Sequence, residues 1–402
     1  MNLRKKGMIK MEQLFKEVDN MKNEIIHLRR DFHQHPEVGS ELERTSKIVA
    51  DLLTEWGIEV QTHVGICGVV GTLKGTNTTS NRTVALRADM DALLMDEDNG
   101  IEYQSTIKGR MHACGHDGHT AMLLGAAKVL ANHKDKINGT IKFIFQPEEE
   151  GPNSGARNMI ADGALEGVDA IFGLHVTTEY DTGIVTLKQG ATMASCDDFE
   201  IEMIGKGGHA SLPHECIDAL AMGVSVYNHL QFLVSREFSP LDPILISIGS
   251  FQSGAASNVV QSSAKLKGTI RTLSPEVRKK AQRRIEEIVS QVAKEAGGDY
   301  KFKIFLGIPP LINDRNLCHF IETSLEKHQL KDKLVHLELP NMGSEDFAYY
   351  SEQIPGAFMM IGARNEEKGL VHLMHHPKFD FDEDVLPFGA KLHIQFALDY
   401  LE

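Results

Sequence analysis

The stretch HACGHDGHTAMLLGAAKVLANHKDKINGTIKFIFQPEEEG, residues 112–151, decides the fold class. It holds a helix candidate, His119–Asn132, and then a short apolar run of strand length, Ile141–Phe145. Working outward, similar apolar runs stand at Gly68–Leu73, Val84–Ala88, Ala170–Val176 and Ile184–Leu187. Helix candidates Met11–Arg30 and Glu43–Trp56 precede them. In the second of these, Ile48, Leu52 and Trp56 recur at helical spacing, with Val49 and Leu53 beside them, and Gly57 stands where a C-cap belongs. Residues Lys74–Arg82 (KGTNTTSNR) read as a loop. Strands that alternate with helices predict an α/β domain whose mixed, mostly parallel sheet is flanked by helices.

The pattern changes near Gly190. Phe199–Ile204 alternates like a half-exposed strand, and a helix candidate follows at Asp218–Glu237. Strand candidates Ile244–Gln252 and Ser263–Thr272, an amphipathic helix Pro275–Ala296 and a strand Tyr300–Leu306 complete the block. The order β-α-β-β-α-β is that of a ferredoxin-like unit. After Pro310 the α/β pattern resumes, with helices at Arg315–His328 and Pro387–Leu401 and a strand at Ala357–Gly362. The expected organisation is one domain of residues 1–189 and 310–402, interrupted by a smaller domain of residues 190–309.

The 402 residues carry 42 Lys and Arg against 56 Asp and Glu, a net charge of −14. Such a chain repels phosphate backbones and anionic lipid, which argues against nucleic-acid and membrane-surface roles. No stretch has the apolar length of a membrane span. Cys67, Cys114, Cys196, Cys216 and Cys318 are too few and scattered for a disulfide scaffold and fit a reducing, cytoplasmic setting.

Chemistry concentrates in a few clusters. His112-Ala-Cys114-Gly-His116-Asp117-Gly-His119 lies at a helix entry and offers thiolate and imidazole ligands for a transition metal. A polar helix entry capped by Asp117 is the plainer alternative. Gln146-Pro-Glu148-Glu149-Glu150-Gly151 follows a strand directly, where ligands bind in open α/β sheets. Three adjacent carboxylates repel one another unless a cation neutralises them; one can coordinate while its neighbour handles a proton. A solvated acidic loop is the alternative. His175 at a strand end, where a hydrogen-bonded core residue is the plainer alternative, and the pair His375-His376 before Pro377 add further imidazoles. Together these sites suit Zn²⁺ or Mn²⁺ and hold enough donors for two ions. Asp89, in Arg87-Ala-Asp89-Met-Asp91, can orient a ligand histidine from behind; an ion pair with Arg87 or a helix cap serves equally well. In the inserted block, Gly205-Lys-Gly-Gly-His209-Ala-Ser-Leu-Pro-His214 is a glycine-rich turn without phosphate-loop spacing. His209 can serve an oxyanion, and Asn258 and Arg271 can clamp a carboxylate; surface or turn residues are the plainer alternative.

With these residues in view, the chain resembles the metal-dependent amidohydrolases that include hippurate hydrolases, bacterial aminoacylases and auxin-conjugate hydrolases. LRADMDAL, MHACGHDGH, FQPEEEG, GLHV, GGHASLPH, SNVV, GTIRT, MGSEDFA and HHPKFDFDED occur in family order, and the likeness spans nearly the whole length. It implies a catalytic α/β domain with two divalent ions (zinc or manganese, with cobalt as a further candidate) and an inserted lid that also forms a homodimer. It implies Cys114, His116, Glu150, His175 and His375 as metal ligands and Glu149 as general base. His209 corresponds to a lid histidine able to reach the partner subunit's active site. The implied reaction is hydrolysis of the amide bond of N-acyl amino acids, with Asn258 and Arg271 on the substrate carboxylate. A metallo-exopeptidase acting on dipeptides shares the same metal site. A closed structural zinc site is disfavoured, because such sites are usually rich in cysteine and this set has one.

Overall fold

The computed structural model describes residues 2–76 and 79–402; the side chains of residues 2–10, and Asn77 and Thr78 within the predicted loop, lie outside the described residues. Two compact units emerge, one of residues 1–190, 312–339 and 349–402, the other of residues 191–311 and 340–348. The segment Pro340–Ala348, expected in the larger domain, therefore groups with the smaller one. Its contacts explain this: Ala194 N–H donates to Asn341 O at 3.1 Å and Arg271 Nη1 to Met342 O at 3.1 Å, both inside the smaller unit.

The larger unit contains strands β1 (Glu59–Val64), β2 (Gly68–Lys74), β3 (Thr83–Asp89), β4 (Thr140–Gln146), β5 (Ala170–Asp181), β6 (Val185–Leu187), β7 (Leu334–His336) and β8 (Gly356–Arg364). They form one sheet in the order β1-β2-β4-β3-β5-β8-β6-β7. The central strands β4, β3, β5 and β8 are parallel, while β1, β2 and the β8–β6 contact are antiparallel. The central strands are buried along most of their length, the mark of a parallel sheet covered on both faces.

The main helices are α1 (Asn2–Asn20), α2 (Lys22–Gln34), α3 (Glu43–Glu55), α4 (His116–Asn132), α5 (Gly155–Ala161), α6 (Arg315–Lys327) and α7 (Val385–Leu401). The first predicted helix is thus two, broken at Met21, and the second part runs on to Gln34. This second helix matters, because its buried face carries Arg29, Phe32 and His33. Helix α4 is buried around nearly its whole circumference. Its close neighbours need small residues: a Cβ on Gly125 would meet Ile25 Cδ1 at 2.8 Å.

The smaller unit is an antiparallel four-stranded sheet in the order Ile244–Gln252, Ser263–Thr272, Asp197–Ile204, Asp299–Phe305. Helices Ala219–Glu237 and Pro275–Ala296 pack on it around a separate apolar core that includes Phe199, Leu230, Leu266 and Ile285. Both helices start on side-chain caps: Asp218 accepts from Leu220 and Ala221, and Ser274 from Val277, with Pro275 in the first turn.

Under α4 lies a buried ionic network. Arg29 is fully buried, with Nε 2.8 Å from Asp117 Oδ2 and Nη2 2.7 Å from Asp380 Oδ1. His33 Nδ1 donates to Asp117 Oδ2 at 2.8 Å and Nε2 to Glu97 Oε1 at 3.1 Å. Burial and Arg29 both work against charge on His33, yet its hydrogen bonds to Asp117 and Glu97 hold its pKa above the ordinary value. Removing one member of such a network strands the others. Arg29→Met is expected to cost about 3–5 kcal/mol, read as a lower urea midpoint by circular dichroism. An unchanged midpoint would show that the network is dispensable for folding.

Candidate metal and catalytic site

Strands β3 and β4 run side by side with Asp89 opposite Gln146, so the chain leaves both at one edge of the sheet. Asp91, just beyond β3, then faces the acidic turn beyond β4. Its Oδ1 accepts from Glu149 N–H at 3.0 Å and its Oδ2 from Glu150 N–H at 3.1 Å. Glu148 adopts φ 53° and turns back, its Oε1 accepting from Asn153 Nδ2 at 2.8 Å. The three consecutive glutamates are thereby separated. Glu149 and Glu150 each bring a carboxylate oxygen to His116, the three donor atoms lying within 4.8 Å of one another.

Gly115 caps the start of helix α4 in a left-handed conformation with φ 86°. A Cβ there would stand 2.4 Å from Val176 Cγ2, so only glycine lets this turn approach β5. The approach brings Cys114, His116 and His175 together, with ligand atoms within 4.8 Å. Cys114 Sγ lies 3.5 Å from His175 Nε2. A sulfur and a nitrogen on one tetrahedral ion, at bond lengths of about 2.3 and 2.0 Å, sit about 3.5 Å apart. His175 Nδ1 donates to Val176 O at 2.7 Å, which leaves the Nε2 lone pair facing the thiol. On the far side, His375 Nε2 is 3.0 Å from Glu150 Oε1, and Cys114, Glu150 and His375 form a further donor group.

His116 is the strongest sign that this cluster is built for a cation. It is fully buried, and neither ring nitrogen has a hydrogen-bond partner among the described residues. Asp91 Oδ1 stands 3.5 Å from Nδ1 and Asp89 Oδ2 3.8 Å from Nε2. Burial opposes charge on the ring, but the carboxylates, Asp89 first, outweigh it and lift the His116 pKa to about 10. A pocket whose anions force a proton onto a buried imidazole is one that a divalent ion fits. Burial pushes the Cys114 thiol up, and Glu150, Glu149 and Asp89 push it further; thiolate character there also calls for a cation.

Asp89 acts on two neighbours at once. Its Oδ2 accepts from Arg87 Nη1, and its Oδ1 accepts from His119 Nδ1 at 2.5 Å. Val176 N–H donates to His119 Nε2 at 2.8 Å, so both nitrogens of His119 are engaged and neither lone pair is left for a metal. Asp89 thus orients His119 by hydrogen bond and faces His116 across a longer gap. His376 stacks on His372 at 4.3 Å, while its neighbour His375 faces Glu150.

The remaining expected residues belong to the smaller unit. His209 and Asn258 are neighbours there: His209 pairs with Val259 in a short antiparallel two-stranded ladder, and Ala210 N–H donates to Asn258 O at 3.0 Å. Arg271 is on the sheet strand opposite Leu245. Sequence reasoning missed the roles of Asp91, Glu97 and the Arg29–His33 face. The signal available was the charge-rich stretch Arg29-Arg30-Asp31-Phe32-His33, whose Arg29–His33 spacing is one helical turn.

An open α/β sheet with thiolate, imidazole and carboxylate donors at its strand ends, and a carboxylate beside them, defines a metal-dependent amidohydrolase. The model of Peptidase family M20/M25/M40 matches residues 85–399, and the chain belongs to that family. It is 39% identical over 393 residues to Thermostable carboxypeptidase 2 of Saccharolobus solfataricus, covering 97% of this chain and 98% of that one. It is 39% identical over 381 residues to IAA-amino acid hydrolase ILR1-like 4 of Arabidopsis thaliana, covering 94% and 86%. Among solved structures, the YXEP protein of Bacillus subtilis, described as a dinuclear metal binding peptidase from the M20 family, superposes with a TM-score of 0.83 at 32% identity, covering 95% of this chain and 99% of that one.

Cys114→Ala is expected to lower the metal bound per chain after dialysis against Zn²⁺, measured by atomic emission. Unchanged stoichiometry would remove Cys114 from the ligand set.

Proposed function

We propose that the protein hydrolyses the amide bond of N-acyl amino acids, with Glu149 as general base. The observation that carries this reading is the placement of Glu149 with His116 and Glu150 in one donor cluster, held by the Asp91 cradle. The name of the Arabidopsis relative, IAA-amino acid hydrolase, supports the substrate class. We assign Cys114, His116, Glu150, His175 and His375 as ligands of two divalent ions, zinc or manganese with cobalt as a further candidate; the mixed sulfur, nitrogen and oxygen donors support that choice. Bound ions of this kind supply Lewis acidity and bring the pKa of water down to about 7.

In the proposed reaction Glu149 takes the proton of the attacking water and returns it to the departing amine. Asp89 keeps His119 in one tautomer, and that histidine in turn supports the β5 backbone beside His175. His209 donates to the developing oxyanion, and Asn258 and Arg271 hold the substrate carboxylate. Residues 190–309 would act as a lid and as the homodimer contact. Leu220, Val224 and Tyr227, exposed at helical spacing on Ala219–Glu237, support a second copy as the partner. Five free cysteines support a cytoplasmic location. No described helix is long and apolar enough to cross a membrane.

A second reading, a metallo-exopeptidase acting on dipeptides, draws on the carboxypeptidase name of the Saccharolobus relative. Amine release separates the two. The panel is N-acetyl amino acids, N-benzoylglycine, an indole-acetyl amino acid and a free dipeptide, offered to chelator-stripped protein reloaded with Zn²⁺, Mn²⁺ or Co²⁺. Metal-dependent release from acylated substrates is expected; release from the dipeptide alone would move the assignment to the exopeptidase. Glu149→Gln is expected to keep its metal while losing about 10²–10⁴-fold in turnover. Near-normal turnover would rule Glu149 out as base. Mixing Glu149→Gln with His209→Ala chains is expected to restore activity if His209 serves the partner subunit, and no recovery would end that role.

A further inference from the structure

We infer that Met374 supplies a second sulfur donor to the Cys114 end of the metal pocket and biases that end towards thiophilic cations such as Cd²⁺. The inference rests on the reading of the Cys114 cluster as a metal centre. Met374 Sδ lies 3.9 Å from Cys114 Sγ. Two sulfurs on one tetrahedral ion, with bonds of about 2.3 Å, sit about 3.8 Å apart. The Cys114–His175 separation of 3.5 Å suits the same ion, and the buried, unpartnered nitrogens of His116 belong to the same donor group.

The backbone explains why this sulfur is where it is. His375 N–H donates to Ala113 O at 2.8 Å, which laces residues 374–375 to the segment carrying Cys114. His375 itself adopts φ 65°. A left-handed non-glycine residue is strained and persists where the surroundings demand it. Here it turns the His375 ring onto Glu150, while Met374 reaches the Cys114 sulfur. Leucine would fill this half-buried position with little change in volume. What leucine lacks is a soft donor. Thiolate and thioether select soft cations, and carboxylates select hard ones. The pocket therefore sets two soft donors, Cys114 and Met374, beside the carboxylates Glu149 and Glu150, and the side that carries both sulfurs favours the softer ion.

The test uses the full chain, stripped with chelator, in wild-type and Met374→Leu forms. Cd²⁺ and Mn²⁺ affinities are measured by competition, and the environment of bound cadmium by NMR. Met374→Leu is expected to lower Cd²⁺ affinity about tenfold, to shift the cadmium resonance upfield and to leave Mn²⁺ affinity unchanged. Met374→Gln, which exchanges the thioether for an amide of similar length, provides the same comparison if leucine disturbs folding. An identical cadmium resonance and identical affinities in both variants would overturn the inference while leaving the metal centre in place. If Cys114→Ser binds Cd²⁺ as wild type does, the metal-centre reading itself falls, and that result is obtained without touching Met374.

Discussion

The Asp91 carboxylate is the constraint on which the site depends. Each oxygen takes one backbone N–H of the acidic turn, from Glu149 and from Glu150, while Oδ1 also faces the buried His116 ring. Two N–H bonds to an ionised acceptor are strong and directional, so they set the turn rather than merely tolerate it. Glu148 accepts a left-handed backbone and turns away, which leaves its two neighbours to the pocket. Without that division, three adjacent carboxylates at the end of β4 would compete for one space. The cost of gathering anions there appears in His116, whose raised pKa reports their field.

The second support lies beneath the pocket. Asp117 follows a ligand candidate in sequence but faces the opposite way, into Arg29 and His33. Burial works against its charge, yet Arg29 and His33 hold its carboxyl far below the ordinary range. The start of α4 is thus anchored from below by ions and shaped from above by Gly115. A buried network of this kind adds little net stability compared with an apolar filling, but it tolerates few alternative packings. That suits a helix entry that must present Cys114 and His116 at fixed separations.

The smaller unit has its own core and its own antiparallel sheet, with capped helices at both crossings. It carries His209 and Asn258 at a short two-stranded ladder and Arg271 on the sheet. Its recruitment of Pro340–Ala348 ties a late stretch of chain to an inserted block.

Much of this was legible in the sequence because the signals were local. Strand-length apolar runs alternating with helical stretches determined the α/β class, and Gly57 marked the end of a helix. The residue types at positions 112–119, 146–151, 175 and 375–376 pointed to metal chemistry, since Cys, His and Glu in such density have few other uses. Other features were decided by contacts between residues far apart in the chain. That Glu148 turns away, that His119 spends both nitrogens on Asp89 and Val176, and that His375 meets Glu150 while Met374 meets Cys114 depend on backbone geometry and long-range hydrogen bonds. Periodicity carries no record of such bonds. The sequence by itself determined which donors are present; only the tertiary structure decided which of them face one another, because a side chain's direction follows from where the whole chain is packed.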